Sequence, residues 1–269
     1  MVARATSFFA WRTVRALGAD VGADVGSDVG SDVGALDGAN AVVTGASRGI
    51  GLSIARVLVA AGARVFMLAR SSADLGREAR VLGARALDLP CDLADSADVE
   101  RVLGVISTTM GAPDILVNNA GAFALGAVGT VPNDAVQRLL AVNVLAPYHL
   151  ANAFVPLMRT RGTGHVVTIG SIADRHTYPE NAAYAASKFG ARAVHQVMRE
   201  ELRGSGVRVS LVSPGPVDTP LWDPISPDTR PGFTPRSLML RADAVADAVL
   251  WVVTRPREVN IDELRLTHS

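Results

Sequence analysis

Lysine is almost missing from this 269-residue chain: of its 26 basic residues, only Lys188 is not an arginine. Arginine serves wherever a generic positive charge suffices, so the lone lysine marks a position that requires a compact ammonium whose proton can be shifted. Cysteine is equally scarce. Cys91 is the only one, which excludes an internal disulfide framework, suits a reducing cytoplasm and reads as a small buried hydrophobe. Net charge is absent too, 26 basic residues balancing 26 acidic ones, so neither nucleic acid nor an anionic membrane is an expected partner. No run of 18 uncharged apolar residues is available to span a bilayer. Yet 49% of the residues are hydrophobic and the mean hydropathy is +0.26, values that point to a sheet buried on both faces. No metal site is expected.

What the chain does have is the stretch Ser171 to Lys188, which sets a hydroxyl, a phenol and an ammonium within reach of one another. Tyr184 and Lys188 fall one turn apart in a segment predicted to be helical from about Asn181 to Arg203, so both project from one face. An adjacent cation favours the ionised form of a phenol and so fits it for acid-base work. Ser171 offers a second donor to the carbonyl oxygen that receives the tyrosine proton. The alternative, a solvated Tyr–Lys pair on a helix surface, sits poorly with a chain that uses lysine nowhere else.

Residues 1–38 read as a low-complexity arm outside the fold. Ala19 to Gly34 repeats Ala/Ser-Asp-Val-Gly four times, too poor in large apolar groups to fold alone. Ahead of it, Arg4, Arg12 and Arg15 accompany Phe8, Phe9 and Trp11, but the apolar run is too short for the core of a secretory signal. The fold proper, residues 39–269, opens with a strand at Asn40–Thr44, the turn Gly45-Ala-Ser47-Arg48-Gly49-Ile50-Gly51, and a helix from Leu52 to Ala61. Strand, glycine turn and helix place a phosphate on a helix N-terminus, where backbone N–H groups and the helix dipole stabilise its charge.

A second strand, Ala63–Ala69, ends at Arg70 where dinucleotide folds usually carry an acid for the ribose hydroxyls. With Arg48, Arg70 offers two guanidiniums to a 2′-phosphate, so NADP is favoured over NAD, unless both arginines are merely solvated loop residues. Further strands are predicted at Ala84–Leu89, Asp114–Val117, His165–Ile169, Val207–Val212 and Val259–Leu266, and helices at Ser96–Met110, Asn133–Arg161 (broken at Pro147 and Pro156) and Ala242–Val253. Asp92 either caps the region after the third strand or receives an adenine amino group. Asn143, in apolar surroundings, either holds a neighbouring turn or anchors a water near Lys188. Leu221–Leu240, rich in proline and arginine, reads as a mobile lid and the source of substrate choice.

Thr44-Gly-Ala-Ser-Arg-Gly-Ile-Gly51, Asn118-Asn-Ala-Gly121, Asn143, Ser171, Tyr184-x-x-x-Lys188 and Pro214-Gly215 together resemble the short-chain dehydrogenase/reductase family over residues 39–266. The resemblance implies a single doubly wound, Rossmann-type α/β domain with a seven-stranded parallel sheet, and hydride transfer between a nicotinamide and an alcohol or carbonyl compound. It makes Tyr184 the acid-base and Ser171 the holder of the substrate oxygen. Lys188 supports the tyrosine and holds the nicotinamide ribose, while Asn143 positions a relay water. Gly45, Ser47, Arg48, Gly49, Ile50 and Gly51 form the phosphate turn, and Asp92 with Leu93 meets the adenine. Asn119, Ala120 and Gly121 line the cofactor, and Pro214, Gly215, Val217 and Thr219 close over its carboxamide end.

The ending Arg255 to Leu266 departs from the glycine-rich close of ketoacyl carrier-protein reductases. With Arg175 to Pro179 it looks more like the branch of serine and hydroxy-acid dehydrogenases and small aldehyde reductases. A small carbonyl or alcohol is therefore the expected substrate, and a homotetramer or homodimer the implied assembly. The alternatives are a non-catalytic NADP-sensing or scaffolding protein, a 3-oxoacyl-type reductase, and an epimerase or dehydratase that reuses the same tyrosine and lysine.

Overall fold

The computed structural model describes residues 34–269, so the predicted arm lies outside the described residues as far as residue 33. Order begins before residue 39: Leu36 is buried and its N–H donates to the Ala61 carbonyl at 2.9 Å. The strands are β1 (Asn40–Thr44), β2 (Arg64–Ala69), β3 (Ala86–Pro90), β4 (Ile115–Asn118), β5 (Gly164–Ile169), β6 (Val207–Pro214), β7 (Val217–Asp218), β8 (Leu240–Arg241) and β9 (Glu263–Leu266). Seven of them form one parallel sheet in the order β3-β2-β1-β4-β5-β6-β9, while β7 and β8 pair separately.

The apolar runs are buried on both sides because alternate residues feed two cores. Ala41, Val43, Met67, Val117 and Val167 face α1 (Gly49–Ala60), α2 (Ser72–Leu82) and α7 (Ala242–Val253). Val42, Leu68, Leu116 and Val166 face α3 (Ser96–Met110) and the long helix that follows α4 (Asn133–Leu140), named α5 (Ala146–Arg161). The chain steps outward from β1 to β3 and returns to β4, so the order reverses between β1 and β4. Ligands bind at such a crossing point, beyond the carboxyl ends of the strands.

Three expectations need correction. Asn133–Arg161 does not break at its prolines: Pro147 lies in the first turn of α5, where a missing N–H costs nothing, and Pro156 is absorbed within the helix. The irregularity is a π-helical turn at Ala141–Leu145, centred on Asn143. This stretch is, among the described residues, long and apolar enough to cross a membrane by composition, yet Leu150, Phe154 and Met158 are fully buried against the sheet. Second, the last strand starts at Glu263 rather than Val259, because the Asn260 side-chain amide takes the Val209 N–H at 2.9 Å and its carbonyl at 3.1 Å. Third, α2 has no counterpart among the predicted helices. It is short, and its signal is the Ser71 cap, whose hydroxyl accepts from the Asp74 N–H.

Candidate active site

A cavity of about 1100 Å³ opens at the carboxyl end of the sheet. Its floor at β1 is the glycine turn. Gly45 adopts φ +68, and a Cβ on Gly51 would stand 2.2 Å from the Gly45 carbonyl oxygen and 2.4 Å from Asn119 Nδ2, so α1 can approach β1 only because that side chain is missing. Thr44 and Asn119 join the exits of β1 and β4: Thr44 Oγ1 accepts from the N–H groups of Asn119 and Ala120, both at 2.9 Å, and Asn119 Nδ2 donates to the Thr44 carbonyl at 2.8 Å. Arg48, at the N-cap of α1, makes no side-chain cap bond. The first-turn amides are thus left for an anion, which is the geometry a dinucleotide pyrophosphate needs.

Arg70, Ser71 and Asp74 line the cavity where β2 ends. Asp74 is held below the usual carboxylate range by hydrogen bonds from Ser71 and Arg77. Beyond β3, Asp92 accepts from the Ala94 N–H and, through both carboxylate oxygens, from Arg138 Nη2, each contact at 3.0 Å. Desolvation opposes its charge, but these bonds prevail and its carboxyl stays below the ordinary range. Asp92 thus holds its own turn through the Ala94 N–H, the N-cap of α3 is Asp95, and Asp92 also lines the cavity. Beside it, burial pushes the Cys91 thiol up to about 12, as befits an inert hydrophobe.

The second half of the cavity lies over β4, β5 and β6. Ser171 follows β5 in an extended conformation, and its hydroxyl oxygen accepts the Ala173 N–H at 3.1 Å, which leaves its own proton to donate into the cavity. Tyr184 and Lys188 project from α6 (Ala182–Glu201); Lys188 Nζ lies 5.8 Å from the tyrosine ring centre and donates to the Ile169 carbonyl at 3.1 Å. Only 7% of Lys188 is exposed. Asn143, 3% exposed, stands behind the cavity wall. Its amide accepts from the Ala122 N–H at 2.8 Å and donates to the Ala122 carbonyl and to Ser187 Oγ, which in turn donates to the Tyr184 carbonyl at 2.7 Å. Asn143 thus ties the π turn, the β4 exit and the tyrosine helix together.

Behind Ser171 lies a charge cluster absent from the sequence expectations. Asp174, 1% exposed, accepts from the Ser171 N–H at 3.2 Å, from Ser213 Oγ at 2.7 Å, from Arg175 Nε at 2.8 Å and from Arg192 at 3.3 Å. Glu263 of β9 pairs with the same two arginines. Burial opposes the Asp174 charge, but the bonds from Arg175, Ser213 and the Ser171 amide outweigh it and hold its carboxyl below the usual range.

A family model described as short chain dehydrogenase matches residues 39–230. The chain belongs to the short-chain dehydrogenases. An uncharacterized oxidoreductase of Staphylococcus aureus strain USA300 is 30% identical over 225 residues, 83% of this chain and 94% of that protein. A metagenomic short-chain oxidoreductase solved in complex with NADP superposes with a TM-score of 0.76 at 36% identity, covering 87% of this chain and 99% of the other. L-sorbose reductase from Gluconobacter frateurii, solved with NADPH and L-sorbose, gives 0.78 at 25% identity over 87% and 97%. The chain is accordingly an oxidoreductase of a family whose solved members include nicotinamide complexes.

In this short-chain dehydrogenase every residue that the sequence assigned to the cofactor lines one cavity, together with Ser171, Tyr184 and Lys188; Asn143 alone stays outside it. Sequence reasoning missed Asp174, Arg138 and the aromatic wall. Phe123 from the β4 exit sits edge-on to Tyr184 at 4.7 Å, Trp222 to Phe123 at 5.3 Å, and Phe233 to Trp222 at 6.3 Å. The Ser171-x-x-Asp174 spacing is a capping signature and could have pointed to Asp174.

Proposed function

We propose that this short-chain dehydrogenase reduces a ketone or aldehyde with NADPH, Tyr184 giving the proton to the carbonyl oxygen. The observation that supports this best is the convergence of the Ser171 hydroxyl, Tyr184 and buried Lys188 on a cavity whose other half is a glycine-lined anion cradle. When bound, the reduced nicotinamide supplies the hydride that goes to the carbonyl carbon. Ser171 and Tyr184 both donate to the carbonyl oxygen, and the proton of Tyr184 completes the alcohol while the phenolate remains beside Lys188. Reversal oxidises the alcohol through the same groups. Arg48, Arg70 and the Ser71-capped start of α2 favour the 2′-phosphorylated cofactor, since Arg70 rather than an acid follows the last residue of β2 and the nearby Asp74 is engaged by Ser71 and Arg77. Exposed Leu145, Tyr148 and Leu157 on the long helix, with Phe189 and Val197 on α6, support association into a homodimer or homotetramer.

The test is loss of reduced-nicotinamide absorbance with NADPH and NADH in parallel. NADPH is the preferred donor, and Tyr184→Phe lowers kcat by about 1000-fold, within the range of general acid-base catalysis, with NADPH affinity nearly unchanged. Turnover retained in Tyr184→Phe overturns the mechanism.

A further inference from the structure

We infer that the substrate is an uncharged aryl ketone or aryl aldehyde whose ring lies against Phe123, Trp222 and Phe233, an assignment that rests on the reductase reading above. The sheet order separates the cavity into two halves. Over β1, β2 and β3 lie the glycine turn and the charged residues Arg48, Arg70, Asp74 and Asp92, with Arg138 reaching in from α4. Over β4, β5 and β6 lie Ser171, Tyr184 and an apolar wall.

That wall begins at the reacting group itself. The Phe123 ring meets Tyr184 at 89°, Trp222 meets Phe123 at 65°, and Phe233 meets Trp222 at 77°, each an edge-to-face contact that leaves ring surface available to a further flat group. Trp222 has no free polar handle, because its indole N–H donates to the Val217 carbonyl at 3.1 Å. Ile172, Leu125, Leu221 and Tyr178 extend this lining, and Asn181 and Thr234 add polar groups to it.

Charge in this half is cancelled. Among the described residues that line it, only Glu180 and Lys188 carry a formal charge. Glu180 accepts from Arg230 at 2.6 Å, and Arg230 in turn lies 4.8 Å from the centre of the Phe233 ring, so the two charges neutralise each other at the rim. Lys188 is buried beneath Tyr184 and engaged with the Ile169 carbonyl. Arg175, the cation nearest Ser171 in sequence, does not line the cavity at all; it turns away to Asp174 and Glu263. A carboxylate placed beside Ser171 would lose water and meet no unengaged cation, and a polyol would find only the scattered polar groups of Ser171, Asn181 and Thr234, whereas an aryl group would gain three rings. The assignment departs from the hydroxy-acid branch that the chain ending resembles: Glu263, within that ending, pairs with Arg175 and Arg192 rather than shaping the substrate pocket.

The test uses the full chain with NADPH and three carbonyl probes: acetophenone, pyruvate and fructose. The expected kcat/KM for acetophenone exceeds those for the other two by about 100-fold, the scale on which a pocket rejects a group it cannot hydrogen-bond. Phe233→Ala raises KM for acetophenone by about tenfold more than it changes kcat, with NADPH affinity measured alongside to show that the variant is folded. Absence of acetophenone turnover, or a Tyr184-dependent preference for pyruvate or fructose, overturns the substrate class and leaves the reductase reading standing. Turnover that survives Tyr184→Phe instead overturns the reductase reading itself.

Discussion

Asp174 is the residue on which the placement of Ser171 depends. Its carboxylate is shut from water, and four donors from three parts of the chain converge on it: the Ser171 amide and Arg175 from its own turn, Ser213 at the end of β6, and Arg192 of α6. Replacing one partner of a buried charged cluster leaves the remaining charges unmatched, which costs about 3–5 kcal/mol, whereas an exposed ion pair contributes at most about 1. Asp174→Asn is therefore expected to lower the unfolding free energy by roughly 3 kcal/mol. It also lowers kcat, because the Ser171 hydroxyl loses its fixed aim, while the dissociation constant for NADPH, set at the other half of the cavity, moves little. Urea unfolding and steady-state kinetics on one preparation separate the two effects; a kcat equal to that of the parent chain would show that Asp174 serves the fold alone.

At the scale of elements, the segment between β7 and β8 covers the substrate half and is fastened by Arg230 to Glu180 and by the ion pairs of Arg236. Arg236 reaches Asp218 at 2.7 Å and Asp223 at 2.5 Å, and its own N–H donates to Asp228 at 2.8 Å. These pairs are exposed, so each contributes little to global stability, but all restrain the same short cover. Arg236→Gln should leave the thermal midpoint within about 2 °C, since exposed ion pairs contribute little to global stability. Proteolysis between residues 222 and 236 and KM for the carbonyl substrate should both rise; unchanged proteolysis would show that the cover does not depend on this residue. The elements also show what a sequence can reveal. The buried strands were legible as apolar runs, and the glycine turn and the Tyr184–Lys188 pair from local spacing, because those features are set by neighbours along the chain. The π turn at Ala141–Leu145 was not, since the prolines beside it are better local signals than Asn143. Nor was the aromatic wall: Phe123 follows β4 while Trp222 and Phe233 lie between β7 and β8, and these two parts of the chain meet only once the sheet has formed. Arg175 was read for its resemblance, and its partner Glu263 lies on another strand.

For the molecule as a whole, two buried histidines set how stability responds to acid. Burial, aided by Arg208, lowers His165 from 6.5 to about 3, and burial, aided by Arg199, lowers His195 from 6.5 to about 4. His165 Nε2 lies 2.8 Å from Ser210 Oγ, between β5 and β6. Between pH 6.5 and those lower values the unfolded chain takes protons that the folded chain refuses. Their contribution is complete above pH 6.5 and declines as pH falls, by about 1.4 kcal/mol per pH unit for each histidine. The urea midpoint is thus expected to drop steadily from pH 7 to pH 5, and a flat profile over that interval would contradict the burial of both rings. The near-absence of lysine has a consequence at this same scale. Apart from its first residue, the chain carries one primary amine, and that amine forms the floor of the catalytic half, 7% exposed beneath Tyr184. Acylating and aldehyde reagents, which elsewhere decorate a protein's surface at random, have on this one a single interior address, and for them the active site is the surface.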